Sequence, residues 1–256
     1  MTTIAATPIA QKEAASHIGR ILLGFAILYA VYFGSALPLA AVEPTLAALV
    51  RTLLTLATVI VLELSLFRQP VVNAVRRLGF GWPGARWLGV AAVAGAPLVL
   101  FFPAYAALTG TAWSLPAGWL WTYLGYVTVS GLAEEVMFRA FLFGRLRAGR
   151  GFWAAATLAM AAFTAVHLLL FFRLNIFVAV AATLLAAAGA YPLAYLYERA
   201  GRSVWPCVLL HSLAHLITVV AWPAGELTAP LVFMAVAALS PWVVFAFGRR
   251  RSSSGG

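Results

Sequence analysis

Two adjacent glutamates are the residues best suited to chemistry in this sequence. Glu134 and Glu135 lie in an apolar segment and are followed by Arg139. In a helix, Glu135 and Arg139 share a face and can form an ion pair, while Glu134 is rotated away by about 100°. The spacing predicts one neutralised carboxylate and one free carboxylate that could act as a general base. The alternative is a structural ion pair that only locks two helices together.

Three histidines lie in similarly apolar surroundings. His211 and His215 are four residues apart, so a helix would place both imidazoles on one side. That spacing suits a metal ion or a polarising pair, although two histidines bonding to backbone carbonyls would show the same pattern. His167 follows Phe163 by four residues, and a lone histidine of this kind is more often a packing residue than a ligand.

The surrounding composition is that of a membrane protein. Hydrophobic residues make up 64% of the 256 residues and charged residues 9%, against roughly 45–50% and 25% in soluble domains. A bilayer-spanning helix needs about 20 apolar residues. We therefore predict an all-α fold, a polytopic bundle of about eight transmembrane helices. The predicted spans are 19–41, 45–67, 87–109, 118–142, 152–172, 174–197, 204–222 and 228–247.

These spans define one membrane domain. We expect a cytoplasmic N-terminal tail over residues 1–18, a helical bundle over 19–247 with its catalytic core at about 118–222, and a basic disordered tail over 248–256. The apolar core of the first span is longer than that of a signal peptide, which favours a retained helix. The single cysteine, Cys207, lies in an apolar run and is interpreted as a packing residue.

Ionisable side chains inside a bilayer are energetically costly, so each one is a candidate functional residue. Six of them fall on three spans and could converge in space: Glu134, Glu135, Arg139, His167, His211 and His215. Arg51 and Glu63 lie near opposite ends of the second span. There, long side chains can reach the lipid headgroups, so we interpret both as snorkelling residues.

The distribution of basic residues predicts orientation. The net charge is +10, but the basic residues form short clusters between apolar spans and no single basic face, which argues against a nucleic-acid partner. If the N-terminus is cytoplasmic, Arg51 and Arg139 lie within spans, Arg173 faces outward, and the other 14 of the 17 basic residues lie on the cytoplasmic side. Those 14 are Lys12, Arg20, Arg68, Arg76, Arg77, Arg86, Arg145, Arg147, Arg150, Arg199, Arg202, Arg249, Arg250 and Arg251.

Three ordered motifs resemble those of the CAAX protease and bacteriocin-processing (abortive-infection type) family of intramembrane proteases. The family pattern is Glu-Glu-x-x-x-Arg, then Phe-x-x-x-His, then His-x-x-x-Asn or a similar polar residue, and the resemblance covers roughly residues 118–220. The matching segments are Glu134-Glu135-Val-Met-Phe-Arg139, Phe163-Thr-Ala-Val-His167 and His211-Ser-Leu-Ala-His215. Tyr195-Leu-Tyr-Glu-Arg-Ala-Gly201 is also similar to the family.

The resemblance implies roles for these residues. Glu134 would activate water, and His167, His211 and His215 would bind a metal such as Zn²⁺ or stabilise an oxyanion. His215 stands where the family usually has asparagine. An imidazole can ligate a metal or, when protonated, donate to an oxyanion, but it lacks the simultaneous donor and acceptor of an amide.

The residue inventory excludes other intramembrane protease chemistries. The chain contains no aspartate, so no aspartyl dyad can form. Ser212 occupies the position of the glutamate in a His-Glu-x-x-His motif, and Ser130-Gly131 lacks the preceding Gly-x of a rhomboid-type nucleophile. A glutamate and histidine site that activates water remains.

These inferences predict an intramembrane endopeptidase that acts on a membrane-embedded or membrane-associated peptide. Two alternatives remain open: a proton-coupled transporter, and a catalytically silent family relative that works as an immunity or scaffold protein. Transport would string ionisable groups along a path through the bilayer, whereas proteolysis would cluster them. The composition, rich in Ala and Arg and poor in Lys, suggests a bacterial inner-membrane protein.

We predict that both termini are cytoplasmic, because 14 basic residues then lie on the side that the positive-inside rule favours. A reporter fused after Gly256 should behave as cytoplasmic. A truncated fusion in the loop between the third and fourth spans should behave as periplasmic. A periplasmic signal from the Gly256 fusion would contradict this topology.

Overall fold

The computed structural model of the chain describes residues 8–248. These residues fold into helices and form no strand; one isolated antiparallel bridge joins Ser114 and Ala221. The α-helices are α1 (Pro8–Gly34), α2 (Pro44–Ser65), α3 (Val71–Arg76), α4 (Ala85–Thr109), α5 (Trp119–Tyr126), α6 (Gly144–Leu146), α7 (Phe152–His167), α8 (Ile176–Arg199), α9 (Trp205–Ala214) and α10 (Thr228–Leu239). Short 3₁₀ segments, Leu168–Phe172, His215–Thr218 and Ser240–Gly248, extend α7, α9 and α10.

The predicted polytopic bundle is confirmed. Six helical segments are long and apolar enough to cross a membrane, and they coincide with the first, second, third, fifth, sixth and eighth predicted spans. The seventh span is the shorter helix α9 with its 3₁₀ extension, which ends at Thr218. The fourth span is a composite helix, residues 119–146, in which α and π segments alternate.

The composite helix carries both adjacent glutamates. Between α5 and α6 it contains two π-helical segments, Val127–Ala133 and Val136–Phe143, and Glu134 and Glu135 lie between them. Wider π turns inside α-helices occur frequently at functional sites. Gly131 lets this helix approach α9 closely, because a Cβ at that position would collide with Ser212.

Small residues allow close helix packing elsewhere in the bundle. Helices α7 and α8 lie against each other, and each buries a row of alanines at helical spacing, as is common between membrane helices. These are Ala155, Ala156 and Ala159 on α7 and Ala186, Ala190 and Ala194 on α8. On α9, Cys207 is buried and its thiol lies 3.2 Å from the Leu193 carbonyl oxygen, as expected of a packing residue.

The boundaries of the first span differ from the prediction. Helix α1 begins at Pro8, inside the expected tail, and ends at Gly34, after which residues 35–42 form turns. Residues 8–18 are therefore helical. The remainder of the expected N-terminal tail and the basic tail after residue 248 lie outside the described residues.

The snorkelling interpretation of Glu63 is wrong. Glu63 is 1% exposed and accepts a hydrogen bond from Arg145 Nε at 3.1 Å, while a second Arg145 nitrogen pairs with its other oxygen. Arg77 Nε lies 3.5 Å from the same carboxylate. Arg145 was expected in a solvated loop but is 6% exposed, and its guanidinium covers the ring of Phe67. The sequence does not show that the composite helix ends against α2.

Arg51 has a specific partner on α1 that the snorkelling interpretation did not include. Its guanidinium Nη2 donates to the backbone carbonyl of Tyr32 on α1 at 3.1 Å. The same guanidinium lies over the Tyr32 ring, 4.9 Å from its centroid. Arg51 therefore links α2 to α1.

Loops that were predicted to share the cytoplasmic side contact one another. Arg86 donates to the Phe247 carbonyl at 2.8 Å, and Ser203 donates to the Gly81 carbonyl at 2.6 Å. Arg173, predicted on the opposite side, lies 5.9 Å from the ring centroid of Phe33 near the other end of α1. The helices therefore alternate in direction as the spans require, and their orientation in the membrane stays a prediction.

The buried Glu63 pair should contribute strongly to stability. Glu63→Gln removes the charge that compensates buried Arg145, and breaking a buried pair costs about 3–5 kcal/mol. Glu198 is the matched control: it pairs with Arg147 at 2.6 Å, but both side chains are about one-third exposed, so Glu198→Gln should cost at most about 1 kcal/mol. Thermal unfolding in detergent measures the stability of both variants. An equal loss of stability in the two would contradict the larger contribution expected of the Glu63 pair.

Candidate active site

Glu135 lies at the centre of a buried charge cluster. Its side chain is fully buried, and Oε1 accepts a hydrogen bond from Arg139 Nη1 at 3.0 Å. The same oxygen lies 2.6 Å from His211 Nδ1. A carboxylate can only accept here, so Nδ1 carries the proton and donates it. The predicted pair between Glu135 and Arg139 is present, and Glu135 also holds α9 through His211.

The ring of Phe163 joins this cluster to α7. The Arg139 guanidinium lies 4.6 Å from the Phe163 centroid, in cation–π geometry. The His167 ring packs edge-on against the same ring at 4.6 Å, and the His211 ring does so at 6.1 Å. Phe163 therefore acts as the common support of the arginine and two histidines.

The three histidines lie together. The rings of His211 and His215 stack at 5.2 Å, and His215 stacks on Tyr126 of the composite helix at 5.5 Å. His215 also interacts electrostatically with both His211 and His167. His167 Nδ1 lies 2.7 Å from the Phe163 carbonyl oxygen, so Nδ1 is the donor and Nε2 is left as an acceptor when the ring is neutral.

Local sequence sets the positions of these rings. Pro206 lies in the first turn of α9 and fixes the beginning of that helix at Trp205, six residues before His211. Helix α7 ends at His167, where the 3₁₀ segment begins. At about 1.5 Å per residue, the ends of the predicted spans put His167 about 10 Å deeper than His211, and a later start of α7 is one way to remove this difference. Because α7 does begin at Phe152, the relative height or tilt of α7 and α9 brings the rings together.

Glu134 has a different partner. Its Oε1 accepts a hydrogen bond from the Tyr32 hydroxyl at 2.8 Å, and Tyr32 belongs to α1. Sequence reasoning treated Glu134 as free and did not single out Tyr32. A tyrosine inside an apolar helix was the available signal, because a buried hydroxyl needs a partner. The position of α1 beside the composite helix could not be read from the sequence.

Three buried polar atoms near the cluster have no hydrogen-bond partner among the described residues. They are Glu135 Oε2, Arg139 Nη2 and Ser212 Oγ. Buried polar groups in folded proteins are normally satisfied by protein, water or ligand. The site therefore retains hydrogen-bonding capacity for a polar molecule such as water or a peptide group.

The residues do not form a group that fits a metal ion. Among the residues that the structure describes, no three His, Cys, Asp or Glu side chains converge as a metal ion would require. The ligand set implied by the resemblance, His167, His211 and His215, is clustered but does not have metal-binding geometry.

The structure also contains an apolar cavity of about 500 Å³. It lies between α4, the composite helix and α9. Its lining on α9 includes Ser212 and so flanks His211. The lining residues are Trp82, Leu88, Tyr123, Val127, Trp205, Val208, Leu209 and Ser212.

The central part of the chain is similar to a known protein family. Residues 116–217 match the family model described as type II CAAX prenyl endopeptidase Rce1-like. The match runs from the composite helix to the end of α9 and contains all six predicted site residues, whereas α1 to α4 and α10 lie outside it. This segment is therefore similar to the Rce1-like endopeptidases, in agreement with the resemblance that its motifs indicated. No curated protein and no solved structure matches the chain.

The two adjacent glutamates should differ in their effect on stability. Glu135→Gln leaves Arg139 uncompensated in a buried site and should lower the free energy of unfolding by about 3–5 kcal/mol. Glu134→Gln retains an oxygen that can accept from Tyr32, so its effect on stability should be small. Thermal unfolding of both variants in detergent measures the difference. Equal losses would show that the two carboxylates act as one structural network.

Proposed function

We propose that this protein is an intramembrane endopeptidase that hydrolyses a peptide bond with water activated by Glu134. The observation that carries the proposal is the cluster of Glu135, Arg139 and His211 beside Glu134, inside the Rce1-like segment. Because the matched family model describes endopeptidases, hydrolysis of a peptide bond is the expected chemistry. The clustered geometry favours proteolysis over transport, which would spread ionisable groups along a path through the bilayer.

The two oxygens of Glu134 have different surroundings. Oε1 accepts from Tyr32, while no hydrogen bond within the described residues occupies Oε2. Oε2 would take a proton from a water molecule as the water oxygen attacks the scissile carbonyl carbon. The carbonyl oxygen then becomes the oxyanion of a tetrahedral intermediate. When the C–N bond breaks, the proton on Glu134 would pass to the leaving amine.

His211 is the best placed residue to stabilise the oxyanion. Glu135 accepts from its Nδ1–H and fixes the orientation of the ring, and a proton on Nε2 would donate to the oxyanion. The ring of His215 stacks on both His211 and Tyr126, and these two contacts hold it in place as a further donor. The unpartnered Nη2 of Arg139 could orient a carbonyl or carboxylate of the substrate. This chemistry uses only protein side chains and water.

The substrate class follows from the surroundings of the site. We propose a membrane-embedded or membrane-associated peptide that reaches the site from the cytoplasmic half of the bilayer. The apolar cavity beside α9 would accommodate an apolar portion of that substrate. The composition and charge distribution support a multi-pass protein of a bacterial inner membrane.

The proposed activity predicts that turnover depends on Glu134 and does not depend on Glu226. Glu134→Gln removes the base and should lower the turnover of a membrane peptide by at least about 100-fold, the usual contribution of general base catalysis. Glu226→Gln is a matched control, since Glu226 lies in the loop before α10 and caps that helix through Ala229. Turnover of a quenched fluorescent peptide in detergent measures both variants. Full turnover by Glu134→Gln would overturn the assignment of the base.

A parallel experiment tests metal dependence. Metal analysis of the purified wild-type chain beside Glu134→Ala, together with turnover before and after chelation, distinguishes water activated by Glu134 alone from metal-assisted hydrolysis. Turnover that survives chelation is expected. Turnover that is lost with a chelator and restored by Zn²⁺ would contradict a mechanism based on side chains alone.

A further inference from the structure

Tyr32 on α1 donates a hydrogen bond to the Glu134 carboxylate. Its hydroxyl lies 2.8 Å from Glu134 Oε1 and 3.4 Å from the Val129 carbonyl oxygen, so the single phenolic proton favours the carboxylate. The Tyr32 side chain is 9% exposed. The bond therefore forms in a site with little competition from water.

Arg51 holds Tyr32 in this position. It donates to the Tyr32 carbonyl from Nη2 at 3.1 Å and covers the phenol ring at 4.9 Å. The backbone and ring of Tyr32 are thus fixed by one side chain from α2. A cation over the ring also withdraws electron density and makes the hydroxyl a stronger donor.

We infer that Tyr32 is a positioning residue for the catalytic carboxylate, an inference that rests on the proposed function of Glu134. A glutamate side chain has three rotatable bonds, and an unsupported carboxylate would sample several orientations. The bond from Tyr32 fixes Oε1 and thereby turns Oε2 toward the reacting water. Correct orientation of a catalytic group contributes directly to rate.

This role extends the active site beyond the segment that matches the family model. Tyr32 and Arg51 lie on α1 and α2, whereas the matched segment begins at residue 116. The matched segment supplies the reacting groups, and the first two helices supply the support of the base.

Tyr32→Phe tests the inference, because it removes only the hydroxyl and keeps the ring beneath Arg51. We expect kcat to fall by about 10-fold or more, the effect of losing a hydrogen bond to a charged group, with KM and the thermal midpoint nearly unchanged. Tyr29→Phe is the matched control: Tyr29 lies three residues earlier on α1 and makes no hydrogen bond to Glu134 among the described contacts. Its kinetics should remain those of the wild type.

Infrared spectroscopy supplies a readout that does not require turnover. The difference between the wild type and Glu134→Gln identifies the carboxylate band of Glu134. That band should shift in Tyr32→Phe and stay in place in Tyr29→Phe. An unshifted band, an unchanged kcat, or a parallel loss of kcat and thermal stability in Tyr32→Phe would each overturn the inference. A wild-type chain without turnover would overturn the proposed function, and the band alone would then decide whether Tyr32 holds Glu134.

Discussion

The fully buried carboxylate of Glu135 must be compensated, and its two partners organise the centre of this molecule. An isolated charge in a low-dielectric interior is unstable, so Glu135 needs Arg139 and His211 at hydrogen-bond distance. Arg139 lies on the same composite helix, whereas His211 lies on α9, so the charge balance also fixes the contact between these helices. Gly131 permits that contact by leaving room for Ser212. Phe163 then joins α7 to the cluster.

Three polar contacts join the composite helix to three other helices. Near its end, Arg145 pairs with Glu63 of α2; at its centre, Glu135 binds His211 of α9; beside that pair, Glu134 accepts from Tyr32 of α1. Directed bonds are effective here because lipid tails give apolar helix surfaces little preference for one another. Glu63, which was expected to reach the headgroups, instead helps to specify which helices are neighbours.

The two adjacent carboxylates have hydrogen-bond partners on different helices. Glu135 has a guanidinium and an imidazole against one oxygen, which commits it to structure and to the orientation of His211. Glu134 accepts from one neutral donor, and no hydrogen bond within the described residues occupies its second oxygen. The π segments on either side of the pair distinguish this part of the helix from a regular α-helix.

The sequence alone determined the membrane class, the approximate spans, the family motifs and the pairing of Glu135 with Arg139, because composition and helical spacing are local properties. It could not place Glu63 beside Arg145 or Tyr32 beside Glu134, since these pairs are 82 and 102 residues apart. That no three His, Cys, Asp or Glu side chains among the described residues converge as a metal ion would require was equally inaccessible, because it depends on how the helices that carry them are placed. Those contacts depend on how helices pack, and only the tertiary structure fixes the packing partners of helices whose surfaces are almost uniformly apolar.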